Sequence, residues 1–245
     1  MIDALADLGL WNRGENPDQA RLRVVSENFD LPEAKRQRLA LEIWNSTVPA
    51  NGTLAATYLA GRAITLTIPE RLRFRNSLAH APAGTSAPAM VALVTSVDDK
   101  PLAVHRTYLS GDGCGKANLH PPRMILGACR GGAVRLGQIR GDHWFAIAEG
   151  IETTLSVMQA CGLSGLAALS AYGMRNLVLP PEANMVLLCA DNDESNTGRT
   201  AADAARDRFR AEGRRVRIIV PPDRGSDFNG LLMQRVKSDG ARDVG

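Results

Sequence analysis

Glu149 stands in Ala148-Glu149-Gly150-Ile151-Glu152-Thr153, and Asp191 and Asp193 close Leu187-Leu188-Cys189-Ala190-Asp191-Asn192-Asp193. Each segment ends an apolar run, Trp144 to Ala148 and Met185 to Ala190, that reads as a buried strand. A carboxylate just past such a strand lands at the edge where open α/β sheets build their sites. Converging carboxylates repel one another, and a hard divalent cation relieves that repulsion. The chemistry these residues suit is phosphoryl transfer assisted by Mg²⁺, with Mn²⁺ as a substitute. Such chemistry uses carboxylates to hold cations about 3.5–4 Å apart, activating a 3′-hydroxyl and stabilising a leaving oxygen. Asp191 and Asp193, two positions apart at a strand end, can face one metal. Glu149 can act as a ligand or as a general acid or base. Each also has a plainer use, Asp-x-Asp as a turn or helix cap and Glu149 as a first-turn helix acid.

Other residues are weaker candidates. Asp227, in Ser226-Asp227-Phe228-Asn229-Gly230-Leu231-Leu232, is either a further metal ligand or an ordinary residue at a helix start. Glu152 follows Glu149 by one helical turn and reads as a solvated or capping residue. Arg123, Arg130 and Arg135 offer charged forks for triphosphate or template phosphates, or belong to a solvated loop. Arg71, Arg73 and Arg75 alternate along an extended segment; a solvated strand face explains them, with tracking of single-stranded nucleic acid as the alternative. His80, His105, His120 and His143 have no ligand spacing, and no role follows for them.

These residues need elements to hold them. Pro32 to Thr47 reads as a helix capped by Asp30, with Leu39, Ile43 and Trp44 on one face. A shorter helix spans Thr53 to Ala60 and stops at Gly61. Arg71 to Arg75 alternates as a strand, and Met90 to Ser96 with Leu102 to Leu109 form a hairpin around Asp98-Asp99-Lys100-Pro101. Ser110 to Gly132, rich in Gly, Pro and Cys, reads as a loop. From about Gly141 the pattern becomes strand 143–148, helix 150–161, strand 165–169, helix 171–178, strand 185–190, helix 199–212, strand 215–220 and helix 227–236. Strict alternation implies a mostly parallel sheet covered by helices. The expected organisation is a mixed α+β region over 1–140, an α/β domain over 141–237, and a flexible tail over 238–245.

Composition sets outer limits. The 245 residues are 44% hydrophobic and 22% charged, ordinary for a soluble globular protein. A net charge of +3 permits a polyanionic partner without requiring one. No apolar run reaches the roughly 18–20 residues that span a bilayer. The acidic start Met1-Ile2-Asp3-Ala4-Leu5-Ala6-Asp7 is unlike a signal peptide, and a cytoplasmic location is expected. Cys114, Cys129, Cys161 and Cys189 form no CxxC pair, so a zinc knuckle is not expected; Cys161 and Cys189 read as core residues.

Glu after one strand and Asp-x-Asp after a later one, on an alternating α/β background, resembles the Toprim domain of bacterial primases, topoisomerases and some nucleases. Pro122-Arg123-Met124-Ile125-Leu126-Gly127 and Arg130-Gly131-Gly132 resemble the basic segments just before Toprim in bacterial and plasmid-type primases. Val216 to Pro222 leading to Ser226-Asp227 is similar to the primase ending, and Tyr58 to Arg75 resembles the N-terminal region of plasmid- and phage-borne Toprim proteins. The resemblance implies an α/β Toprim domain behind a smaller mixed α+β region. It implies Glu149, Asp191, Asp193 and Asp227 as metal ligands, the first three catalytic, with Arg123, Arg130 and Arg135 on nucleotide or DNA. It implies RNA primer synthesis from ribonucleoside triphosphates on a single-stranded DNA template in phage- or plasmid-type replication, with a replicative helicase as candidate partner. A Toprim nuclease and a non-catalytic DNA-binding or helicase-recruiting module are the alternatives. The sequence departs from the primase pattern in three ways. No Cys/His zinc-binding pattern precedes the core, the acidic loop is two residues longer before Gly198, and Asn229 replaces the second acid of the last motif.

Overall fold

The computed structural model describes residues 31–192, 194 and 196–242. Asp30, the expected cap of the first helix, and the acidic N-terminus lie outside them. The N-terminal region begins with α1 (Glu33–Asn45) and a two-residue strand β1 (Val48–Pro49), then α2 (Leu54–Ala60). Pro32 occupies the N-cap of α1 and its carbonyl accepts from the amides of Lys35 and Arg36. Thr53 caps α2, its Oγ1 accepting from the Ala55 amide at 3.2 Å. Next come β2 (Leu72–His80), β3 (Thr85–Thr95), β4 (Pro101–Tyr108) and β5 (Arg123–Gly127). These make an antiparallel sheet in the order β1-β2-β3-β4-β5.

The hairpin forms as expected, but two expectations need correction. The strand read over Arg71 to Arg75 continues to His80 past a bulge between Arg75 and Leu78, which hides the alternation. The stretch read as loop contains β5, paired to β4 from Thr107↔Arg123 to Ala103↔Gly127. Gly127 sits so close to its neighbour that an added Cβ would lie 2.4 Å from the Leu102 carbonyl oxygen. Gly127 serves close backbone approach rather than looseness.

The C-terminal region holds β6 (Val134–Arg135), β7 (Trp144–Ala148), α3 (Ile151–Cys161), β8 (Ser164–Ala167), α4 (Ala171–Asn176), β9 (Met185–Cys189), α5 (Thr197–Ala211), β10 (Arg215–Ile219) and α6 (Phe228–Arg242). Its sheet runs β10-β9-β7-β8-β6, parallel except for the edge pair β6 and β8. The mostly parallel α/β sheet read from the alternation is therefore present. α6 runs on to Arg242, so residues 238–242 are helical where a tail was expected. Cys161 is exposed at the end of α3, not in the core; Cys189 is buried.

One apolar cluster joins the two regions: Tyr58 and Leu59 of α2, Leu72 and Phe74 of β2, Ile151 and Leu155 of α3, and Leu232 of α6. A second, with Phe145, Ile147, Leu188, Ala201, Ala205 and Phe209, lies between the parallel sheet and α4 and α5. Burial of this kind contributes roughly 25 cal/mol per Å² of apolar surface, so the shared cluster fixes one region against the other. Among the described residues no helix is long and apolar enough to cross a membrane.

Candidate active-site cleft

β7 and β9 are neighbours, with Ala148 opposite Cys189, and Cys189 is opposite Ile219 of β10. The chain therefore leaves three adjacent strands at one sheet edge. Glu149 is one residue past β7, Asp191 two past β9, and Asp227 opens the helix that follows β10. All three line one cleft of about 670 Å³ between the two regions. Asp193 lies outside the described residues.

Backbone contacts fix these acids. The Leu169 amide donates to the Glu149 carbonyl at 2.8 Å, and Leu169 holds a left-handed φ of 69°, strain of the sort concentrated at functional sites. Asn192 ties the acidic loop to the loop after β10. Its amide donates to the Ser226 carbonyl at 3.1 Å, its Nδ2 to the Pro221 carbonyl at 2.9 Å, and its carbonyl accepts from Gly225 at 2.6 Å. Gly198 brings α5 back to the site despite the longer loop. A Cβ built there lies 3.1 Å from Glu149 Oε1 and 3.5 Å from the Asp191 carbonyl oxygen. Asp227 Oδ1 accepts from the Gly230 amide at 2.6 Å, so it caps α6 while facing the cleft.

The opposite wall is cationic. Arg123 on β5, Lys116 from the preceding loop and Arg62 after α2 face the carboxylates. Lys116 is delivered by a tight turn in which the Ser110 amide donates to the Gly115 carbonyl at 2.9 Å, packed on Leu54 through Gly113. Sequence reasoning passed over Lys116, because the turn has no periodicity to announce it.

Glu152 departs furthest from expectation. It is buried, not solvated, and lines the cleft. Tyr58 donates its hydroxyl to Glu152 Oε1 at 2.6 Å, and Lys116 Nζ lies 3.9 Å from the same oxygen. Burial works against its ionisation, but the Tyr58 hydrogen bond and the charges of Lys116 and Arg62 outweigh it and hold the carboxyl below its usual range. Burial, and then Glu152, push the Tyr58 hydroxyl well up. Asn229, the departure from the family's acidic pair, is also buried. Its Nδ2 donates to the Arg62 carbonyl (2.9 Å) and to Ser156 Oγ (3.0 Å), and Arg62 donates back to its Oδ1 at 2.9 Å. A carboxylate could not make the two donations. Gln159 completes the row, its Oε1 accepting from Thr65 and Leu66 and its Nε2 donating to Ala63. Glu152, Ser156 and Gln159 recur at helical spacing, the signal in the sequence for a polar stripe binding α3 to the N-terminal region.

His105 was assigned no role, yet it lines the cleft, is buried, and its Nδ1 has no hydrogen-bond partner among the described residues. Burial pushes its pKa down to about 4, against the pull of Glu152. An unfolded imidazole takes its proton below about 6.5, whereas the folded one stays neutral until about 4. Stability is therefore lost as pH falls through that window. His105→Gln should shrink the loss between pH 7 and pH 4 by about 3 kcal/mol, read from urea unfolding at each pH. Parallel pH profiles would show that this imidazole is not held neutral.

The arginines divide. Arg123 lines the cleft, while Arg130 is exposed beyond it, beside α4. Arg135 turns the other way, donating to the Ser96 and Val97 carbonyls and lying 3.8 Å from Asp99, so it braces the β3–β4 turn. The stripe is engaged locally: Arg71 with Asp99 at 2.6 Å, Arg73 with the Thr47 carbonyl and over Trp44, Arg75 with the Ser46 carbonyl.

The donor set fits Mg²⁺. It consists of hard carboxylate oxygens, and Mg²⁺ binds through one or two carboxylates plus substrate phosphates while keeping waters. Among the described residues no group of three His, Cys, Asp or Glu stands together as a metal site; Asp193 lies outside them.

Comparison with known proteins gives the class. Residues 145–238 match the Toprim domain, and residues 34–136 match a domain of unknown function, DUF7146. The C-terminal part of the chain is a Toprim domain, a mixed α+β region precedes it, and the fold overall is primase-like. The zinc-binding and RNA polymerase domains of the Aquifex aeolicus primase superpose with a TM-score of 0.51 at 13% identity, over 91% of this chain and 65% of that one. A DNA primase domain from Pseudomonas aeruginosa gives 0.49 at 16% identity, over 81% and 74%. At 13% identity the Aquifex aeolicus likeness speaks for the fold alone. No curated protein matches the sequence.

Proposed function

We propose that the chain is a primase-type nucleotidyltransferase that extends short RNA on single-stranded DNA. The observation that carries this reading is the cleft itself, with Glu149, Asp191 and Asp227 on one wall and Arg62, Lys116 and Arg123 on the other. Strand-end carboxylates suit cations, and a facing cationic wall suits the triphosphate those cations accompany. A 3′-hydroxyl oxygen forms the new bond to the α-phosphorus as the bond to the pyrophosphate oxygen breaks. On this reading Glu149, with Asp191 beside it, accepts the hydroxyl proton, and Lys116 and Arg123 hold the departing pyrophosphate. Mg²⁺, when bound, supplies Lewis-acid stabilisation to the attacking and leaving oxygens. Asp193 joins this reading as a further ligand, Mn²⁺ as the substitute ion and a replicative helicase as a partner to be sought.

The test combines labelled ribonucleotides, single-stranded DNA and Mg²⁺ or Mn²⁺, with products sized on a gel. Short RNA products are expected. Shortened template with no RNA would mark a nuclease, and metal-independent binding without turnover a recruiting module. Affinity for single strands should fall steeply from low to moderate salt, since counterion release dominates such binding. A flat salt response would show that the cationic wall does not hold the strand.

A further inference from the structure

Leu169 and Ser170 form part of the cleft lining, and the chain passes from them directly into α4. The second residue of that helix is Tyr172, 60% exposed. Among the described residues its ring has no aromatic or cationic neighbour and its hydroxyl no hydrogen bond. It adds nothing to the core, where α4 contributes Gly173 and Met174. The turn that presents it is nevertheless rigid. Ser170 Oγ accepts from the Gly173 amide at 2.9 Å, and Gly173 lies so close to the end of β8 that an added Cβ would fall 1.9 Å from the Ala168 carbonyl oxygen. Arg175, one helical turn on, is exposed, and so is Val178. Val178 donates its amide to the Gly131 carbonyl at 3.0 Å, which brings exposed Arg130 to the same end of α4. Among the described residues neither arginine is in an ion pair.

We propose that Tyr172 is a stacking platform for a base of the single-stranded DNA template at the lip of the cleft, with Arg175 and Arg130 taking its phosphates. An aromatic face interleaved with unpaired guanidinium groups is the chemistry that holds single strands without reading sequence. Tyrosine gives that face at small entropic cost, having two rotatable side-chain bonds. The inference rests on the reading that the chain works on single-stranded DNA and adds where the strand runs.

Fluorescence anisotropy on a labelled oligothymidine tests it. Tyr172→Ala should weaken binding at least about fivefold, the lower end for loss of one stacked base, and Tyr172→Phe should restore it. The Ala effect should vanish on an abasic strand of equal length, and the salt dependence should keep its slope. Arg175→Ala should instead lower the log–log salt slope by about 0.7. Tyr172→Leu, apolar but without a ring, covers the case in which alanine loosens the turn, with a thermal melt as control. Wild-type affinity in both Ala and Leu variants, or a loss that persists on the abasic strand, would overturn the proposal. If such variants bind normally while the wild type makes primers, the stacking platform falls and the functional reading stands. If the wild type binds no single strands, both fall.

Discussion

Asp191→Asn and Glu149→Gln should each abolish most metal-dependent turnover while leaving the fold intact. For Glu149→Gln the loss should be roughly 10²- to 10⁴-fold, the range for removing a group that acts on the reacting proton. For Asp191→Asn the loss should come with weaker cation binding, visible in a Mn²⁺ titration without substrate. The physical asymmetry lies between site and fold. The Glu149 carboxylate and the Asp191 backbone meet beside Gly198, both side chains line the same cleft, and like charges there disfavour one another's ionised forms. Removing one charge is thus neutral or stabilising for folding in the absence of metal. The loop keeps its path because Asn192 makes the hydrogen bonds to the neighbouring loop. Melting temperature should be equal to or above wild type in chelator, and the increment that Mg²⁺ gives the wild type should shrink. Wild-type turnover and Mn²⁺ affinity in the asparagine variant would place the metal site elsewhere.

The parallel sheet and its acids were legible because buried strands write themselves as apolar runs, and the residue after such a run has one place to go. Glu149 and Asp191 needed only that rule. Of the cleft's other wall only Arg123 was legible, through the basic segment that resembles the primase pattern, and the rest was hidden for a physical reason. Lys116 and Arg123 come from a segment where turns are held by Ser110, Asp112 and glycine backbone, and β5 is too short and half-exposed to show alternation. Glu152 was misread because its partners, Tyr58 and Lys116, lie 94 and 36 positions earlier in the chain. Nothing local distinguishes a buried acid with distant partners from a solvated one. Asn229 read as a lost charge, whereas its two N–H donations explain the amide as a junction between regions.

That junction and the rigid α4 turn bear on one further expected result. Gly173→Ala should destabilise the protein by at least about 3 kcal/mol, the upper end for overpacking, and lower the melting temperature by roughly 6–12 °C. The new methyl would overlap a backbone carbonyl, which cannot rotate away as a side chain would. α4 must therefore lift from the end of β8. That end is where the Ala168 and Leu169 amides donate to the Ala148 and Glu149 carbonyls, so the displacement is transmitted to the acid itself. Mn²⁺ affinity should fall along with stability. Gly162→Ala is the control: its φ of 66° carries the ordinary strain of a left-handed alanine, about 1 kcal/mol, but its Cβ would meet open space. Urea unfolding of the two variants separates crowding from backbone strain. Equal losses would show that α4 has room to yield, and the rigid platform argued for Tyr172 would lose its support. A larger loss in Gly173→Ala, accompanied by weaker Mn²⁺ binding, would show that the packing of a surface helix holds the acid-bearing sheet edge in place.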